Sequence, residues 1–217
     1  MNLELDHVFI LVKSEARVAD LLIAQGFEEG TQNIHPGHGT SNRRFFFGNG
    51  MLEFIWIRDA KEAENGAGRD LLFPERDTNP AASPFGVILR QKDSVNLETS
   101  EMPFDGWSYQ PTYFEPPNAF HVGANSTNTF EPLCIYVPFS LPKSLVNKGT
   151  INSSFAINNL CIHISSADRN EVLEAVDRAD RVSIQYGKEH LMEIVFNAHS
   201  LGKVADFRPQ IPLIMYW

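Results

Sequence analysis

The chain ends much as it begins, and that repetition limits its folds more than any other feature. Residues 3–12, LELDHVFILV, are β-branched and aromatic and too short for anything but a strand. Ser14 offers an N-cap hydroxyl, Val18, Leu21 and Leu22 recur at helical spacing, and Gly26 supplies the usual left-handed stop. That predicts a helix over 14–25. RRFFFGNGMLEFIWI then reads as a hairpin, with Asn49-Gly50 suited to a type I′ turn. Near the C-terminus the order returns. INNLCIHI (157–164) is a strand, and Asp168 with Glu171 opens a helix carrying Val172, Leu173 and Val176. RVSIQY (181–186) and HLMEIVF (190–196) are expected to pair as a hairpin around Gly187.

Between these copies lies a weaker one. PFGVILRQ (84–91), short strands near 107–113 and 119–125, and LCIYVP (133–138) give a degenerate repeat, its helix reduced to 93–99. The prolines at 103, 111, 116, 117 and 132 bar their neighbourhoods from central-strand positions. A short helix around 67–73 and a linker over 139–153 complete the reading, with a further short strand over 27–31. The expected fold is therefore α+β. βαβββ units over 1–60 and 61–140 form half-barrel sheets around a central cavity, and a third, βαββ, unit spans 141–217, all in one compact domain. One such unit leaves a concave face that a second must cover, and the space between them is the natural ligand site.

Composition narrows the partners. A net charge of −9 disfavours nucleic acid and anionic membranes, since both need clustered Lys and Arg. No run approaches the roughly 18 consecutive apolar residues of a membrane helix, and the N-terminus lacks the basic and small-residue features of a secretory signal. The two cysteines, Cys134 and Cys161, sit in apolar strand-like runs without metal-ligand spacing, which suits reducing cytosol. A cytoplasmic protein with a small-molecule partner is expected, and a homodimer is compatible with the repeat faces.

Strand alternation then selects candidate site residues. His7 shares a face with Phe9 and Leu11, and Glu53 shares one with Met51 and Ile55. A carboxylate within MLEFIWI needs a partner, because an unpaired buried charge is costly. The Gly-rich loop 35–43 gathers His35, His38, Thr40, Asn42 and Arg43, with Arg43 suited to a carboxylate or phosphate. Trp107 and Tyr109 are candidates to line an apolar pocket, beside Tyr113 and Phe114. No nucleophile elbow, P-loop or dinucleotide fingerprint occurs.

LDHVFILV, a helix ending in GF, the loop HPGHGTSN and a hairpin ending in LEF resemble the glyoxalase-like branch of the vicinal oxygen chelate superfamily. The resemblance implies a lyase, isomerase or dioxygenase type of enzyme acting on an oxygen-bearing organic substrate, with His7 and Glu53 as catalytic residues. It also implies a divalent metal (zinc, iron, manganese, nickel or magnesium) with His7 and Glu53 among its ligands. The chain departs from that pattern where a second ligand pair should come from unit two. Aligning DHVFILV with PFGVILR and MLEFIWI with PLCIYVP sets Phe85 against His7 and Cys134 against Glu53. In the third unit Asn159 and Glu193 take those places, with His163 on the face of Asn159. A site without metal, in a non-catalytic protein that binds or sequesters a small molecule, is the alternative.

Overall fold

The computed structural model describes residues 2–92, 101–139, 152–165 and 169–217. The first unit runs β1 (Leu3–Leu11), α1 (Ala19–Ala24), β2 (Asn33–His35), β3 (Thr40–Phe46) and β4 (Met51–Ile57). Two short helices follow, α2 (Ala60–Asn65) and α3 (Phe73–Thr78). The second unit supplies β5 (Phe85–Gln91), β6 (Gly106–Tyr109), β7 (Phe120–Gly123) and β8 (Leu133–Val137). Together they make one curled eight-stranded sheet in the order β2-β3-β4-β1-β5-β8-β7-β6. β1 and β5 lie antiparallel at its centre, and each runs parallel to the last strand of its own unit, β4 or β8. The two units are thus related by a pseudo-two-fold axis, and the fold is α+β with paired half-barrel units.

Alternation splits this sheet into two faces. On the covered face, Val8, Ile10, Leu52, Phe54, Phe85, Val87, Cys134 and Tyr136 join the larger core. On the cupped face, Phe9, Leu11, Ile55, Ile88, Leu133 and Ile135 form a smaller core with Leu71, Phe73 and Tyr109. A bulge between Leu5 and His7 changes the phase of β1. Leu3 and Leu5 therefore reach the covered face, while His7 turns to the cupped face with Phe9. Register also corrects the expected correspondence between units. Val8 sits beside Leu52 as Val87 sits beside Cys134, so Gly86 and Ile135 are the cupped-face counterparts of His7 and Glu53. Phe85 and Cys134 belong to the covered face.

The third unit packs a second sheet on that covered face. It comprises β9 (Ile157–Ile164), α4 (Glu171–Asp177), β10 (Val182–Tyr186), β11 (Leu191–Phe196), β12 (Val204–Asp206) and β13 (Leu213–Tyr216). The order is β10-β9-β11-β13-β12. β10 and β11 do not form the expected hairpin. α4 carries the chain over to set β10 parallel to β9, and residues 187–190 then cross the end of β9 so that β11 pairs on its far side. The Gly187 amide donates to Ile164 O on the way. Leu160, Ile162, Val172, Val176, Met192, Phe196 and Leu213 meet the first sheet's covered face in one continuous core.

Other local expectations shift. The 14–25 helix breaks into a 3-10 turn (Ser14–Ala16) and α1, because Glu15 and Ala16 take positive φ, and Ser14 caps neither. Gly26 does stop the helix at φ +92°. The strand expected over 27–31 is β2 at Asn33–His35, and Thr40–Asn42 belong to β3 rather than to a loop. The hairpin β3–β4 forms with Phe46 opposite Met51. Its turn is not type I′, since neither Asn49 nor Gly50 has positive φ. Asn49 instead accepts from the Ile157 amide at 2.7 Å and donates to Ile157 O at 2.9 Å, pinning the turn to the third unit. α4 is capped by Asn170, which accepts from the Leu173 amide. Asp168 and the 93–99 helix lie outside the described residues, as does most of the expected 139–153 linker.

Candidate functional site

The cupped face brings together most of the residues singled out above. Glu53 is buried at 7% exposure on β4, and its neighbours across β3 on the same face are Asn42 and Arg44. The Asn42 amide donates to Glu53 Oε1 at 3.1 Å and lies 3.3 Å from His35 Nε2. Asn42 Oδ1 in turn accepts from the Asn33 amide at 2.8 Å, which fixes the flip of the side chain. If His35 Nε2 accepts from Asn42, the proton sits on Nδ1, which meets Thr40 Oγ1 at 2.9 Å. Glu53, Asn42, His35 and Thr40 thus form one buried hydrogen-bonded chain.

His7 lies on the adjacent strand. Its Nδ1 is 2.6 Å from Asp6 Oδ1, and Asp6 Oδ2 accepts from Arg90 at 3.2 Å. Asp6 is the bulge residue, so the irregularity that turns His7 inward also supplies the group that orients its ring. Burial pulls the His7 pKa down, but the Asp6 bond and the charges of Glu53 and Asp6 outweigh it and leave it raised. Burial raises the Glu53 pKa, and His7, Arg44 and Asn42 offset only part of that. Asp6 is lowered despite its burial, through His7 and Arg90.

His38 extends the site along the loop. Its ring lies 5.2 Å from Tyr109, 5.9 Å from Tyr113 and 5.5 Å from His35. Burial pushes the pKa of His35 down to about 3 and that of His38 to about 4, so both are neutral at pH 7. His38 Nε2 and the Tyr109 hydroxyl are buried without a protein hydrogen-bond partner. Such atoms are uncommon in a folded protein. Gly39 is required here. It has φ +69°, and a Cβ would fall 2.3 Å from Asp59 O. Trp107 shares the face of Tyr109, with its indole donating to Ser126 Oγ at 3.1 Å. Tyr113, from unit two, packs with tilted rings against both loop histidines, and Thr112 Oγ1 donates to Pro36 O at 2.9 Å.

Arg43 does not join them. Alternation sends it to the covered face opposite Phe54, where it pairs with Glu29 and Asp20 and reaches Ala16 O at 3.3 Å. It clamps the start of α1 to β3. Arg43→Ala is expected to cost about 2–3 kcal/mol, the usual loss when a charge-assisted bond network is broken. Urea titration reads that loss, and ligand binding on the cupped face stays unchanged.

The donor set there does not make a metal site with three protein ligands. Asp6 already engages His7 Nδ1, and the counterparts in unit two, Gly86 and Ile135, cannot ligate. Among the described residues, the one trio of His, Cys, Asp or Glu ligand atoms within 4.8 Å of one another is Cys161, His163 and Glu193 in the third unit. Sequence reasoning passed over Asp6 and Cys161. The one-residue slip in apolar spacing from Leu5 to Val8, a step of three where alternation gives two, was the available signal for Asp6.

Two four-stranded units in one curled sheet, with a histidine on the first strand and a glutamate on the fourth, define the paired half-barrel class. Residues 5–101 match the family model described as Glyoxalase-like domain. The match spans less than half of the chain, and over that segment the chain is similar to glyoxalase-like domains. No curated protein matches the chain. A hypothetical protein from Staphylococcus aureus of known structure shares the fold, with a TM-score of 0.60, 11% identity, and coverage of 99% of this chain and 98% of that one. Methylmalonyl-CoA epimerase from Mycobacterium tuberculosis is similar over 65% of this chain and 91% of its own, at 13% identity and a TM-score of 0.38. No helix among the described residues is long and apolar enough to cross a membrane.

Proposed function

We propose that the chain is a small-molecule enzyme of the cytoplasm. It moves a proton on an oxygen-bearing organic substrate held on the cupped face. The observation that carries this reading is Glu53, a buried carboxylate with a raised pKa and no direct ion-pair partner among the described residues, held by one amide bond beside an oriented histidine. A base is most useful when its pKa approaches the working pH, and burial moves Glu53 in that direction. Glu53 takes the proton and His7, steadied by Asp6, stabilises the altered charge. His38 and Tyr109 receive the substrate's oxygen, and Trp107 and Tyr113 enclose its apolar part. His7 and Glu53 supply only two protein ligands to a metal, so no step is assigned to one.

The test uses a panel of small 2-oxo and vicinal-dioxygen acids in D2O, with exchange at their carbon–hydrogen bonds followed by NMR. Glu53→Gln should slow exchange of the responsive compound by at least about 100-fold, the lower range for loss of a general base. The fold should hold. The raised Glu53 pKa means that the native state binds this proton more tightly than the unfolded chain. Wild-type stability therefore falls as pH rises from 4.5 through the native pKa, and Glu53→Gln removes that slope. Unaltered exchange in the variant would sink the proposed role. A non-catalytic binder is the second reading, favoured by the apolar contribution of unit two (Ile88, Leu133, Ile135) to the same face. It predicts a ligand shift in NMR spectra without exchange.

A further inference from the structure

A second cluster of chemically active side chains lies on the third unit, away from the cupped face. On β9, Leu160, Ile162 and Ile164 face the core, so Cys161 and His163 both point outward. Glu193 on β11 is in register with Cys161. Cys161 Sγ is 3.5 Å from His163 Nε2, and Glu193 Oε2 is 2.7 Å from that same nitrogen.

The shared nitrogen is what separates two readings. In a nucleophile–histidine–acid relay the acid holds one ring nitrogen and the nucleophile meets the other. Here thiol and carboxylate both converge on Nε2, and one lone pair cannot serve them in series. Three different donor atoms gathered round one point instead match the first shell of a metal ion. With bond lengths of about 2.3 Å to sulfur and about 2.0–2.2 Å to nitrogen and oxygen, tetrahedral angles give about 3.6 Å for S···N and about 3.4 Å for N···O. The sulfur–nitrogen separation already has that value. The nitrogen–oxygen pair, a hydrogen bond here, opens by about 0.7 Å to admit the ion.

We propose that Cys161, His163 and Glu193 form a binding site for a borderline-soft divalent cation, with Zn2+ the best fit. Mixed thiolate, imidazole and carboxylate ligation disfavours Mg2+ and Ca2+, which prefer oxygen alone. The site has outer-shell support, since the Tyr216 hydroxyl donates to Glu193 Oε1 at 2.7 Å and leaves Oε2 turned to the ion. Ser183 on β10 is in register with Cys161, and its hydroxyl donates to Leu160 O at 3.3 Å. Three protein ligands on a half-exposed face leave a fourth position for water or an outside group.

The test uses the full chain, purified without an affinity nickel column and treated with chelator. Co2+ titration should give one equivalent per chain with thiolate-to-metal charge transfer in the near ultraviolet, and Zn2+ should displace it. Cys161→Ser should abolish that band and weaken Zn2+ by more than about 100-fold, the upper range for outer-shell changes. His163→Ala should weaken Zn2+ comparably and Tyr216→Phe by about 10-fold. Glu53→Gln should leave both signals intact, which keeps this site separate from the cupped face. No thiolate band in the wild-type protein, or a band that persists in Cys161→Ser, overturns the proposal. The wild-type spectrum decides even if a variant fails to fold.

Discussion

Replacing Arg76 with methionine is expected to destabilise the protein by about 3 kcal/mol, the upper range for leaving buried acceptors without their charged donor. Arg76 stands on α3 at 4% exposure. Its Nη1 donates to Glu131 O at 2.7 Å and to Ser83 O and Thr129 O at 3.2 Å, and Nη2 reaches Ser126 O at 3.3 Å. Burial lowers its pKa to about 10, which leaves it charged. Methionine fills much of the volume but removes the donor from Glu131 O, Ser83 O and Ser126 O, while Thr129 O keeps the Ser83 amide at 2.8 Å. It also removes a cation whose charge acts on the buried Glu131, whose carboxylate accepts from the amides of Asn125, Asn128 and Asn170. Urea midpoints for Arg76→Met and Arg76→Lys measure the effect. Lysine keeps the charge without the planar fork and should recover only part of the loss. A loss under about 1 kcal/mol in the methionine variant would show that these contacts add no net stability. Arg76 binds α3 to the segment before β8, so its removal should also loosen Phe73, which fills the cupped face.

Acid should unfold the protein earlier than its carboxylates alone require. His35 and His38 have native pKa values near 3 and 4, against an ordinary 6.5. Over that interval the unfolded chain binds more protons than the native one, so stability rises with pH and is lost as pH falls below 6.5. Each group contributes a slope of up to about 1.4 kcal/mol per pH unit, and the pair together costs several kcal/mol by pH 4. His7 has the opposite sign. Its raised pKa adds stability that is full below 6.5 and fades as pH climbs through the native value. Denaturant titrations from pH 4 to pH 8 separate the terms. His38→Phe should flatten the acid limb by about one proton's slope, and it sacrifices no hydrogen bond, since Nε2 has no protein partner. An unchanged acid limb in that variant would mean that His38 is protonated in the native state.

Much of this arrangement was legible in the residues. Short apolar runs separated by turn chemistry gave the strand sequence of units one and two. A glutamate within MLEFIWI marked its own strand as unusual. The misplacements have physical causes. Arg43 was grouped with Asn42 because they are adjacent, but adjacent strand residues face opposite ways once Thr40–Asn42 joins β3. Phe85 and Cys134 were set against His7 and Glu53 by matching letters, whereas pairing distinguishes faces and puts Gly86 and Ile135 there. The hairpin expected around Gly187 failed because a four-residue connection can also step across a strand end. Periodicity does not record which strand lies between. Cys161 was judged by sequence spacing alone, but its partners come from a neighbouring position on one strand and from another strand in register.

β1 serves two parts of the molecule at once. Its first residues belong to the third unit's surroundings: the Asp180 amide donates to Leu3 O at 2.8 Å, and Glu4 bridges to Asp180. Its later residues carry the candidate site. The joint between them is Asp6 alone, whose carboxylate sets the tilt of the His7 ring. The residue that turns His7 to the cupped face thus also marks where β1 passes from its tie to the C-terminal unit to the candidate site.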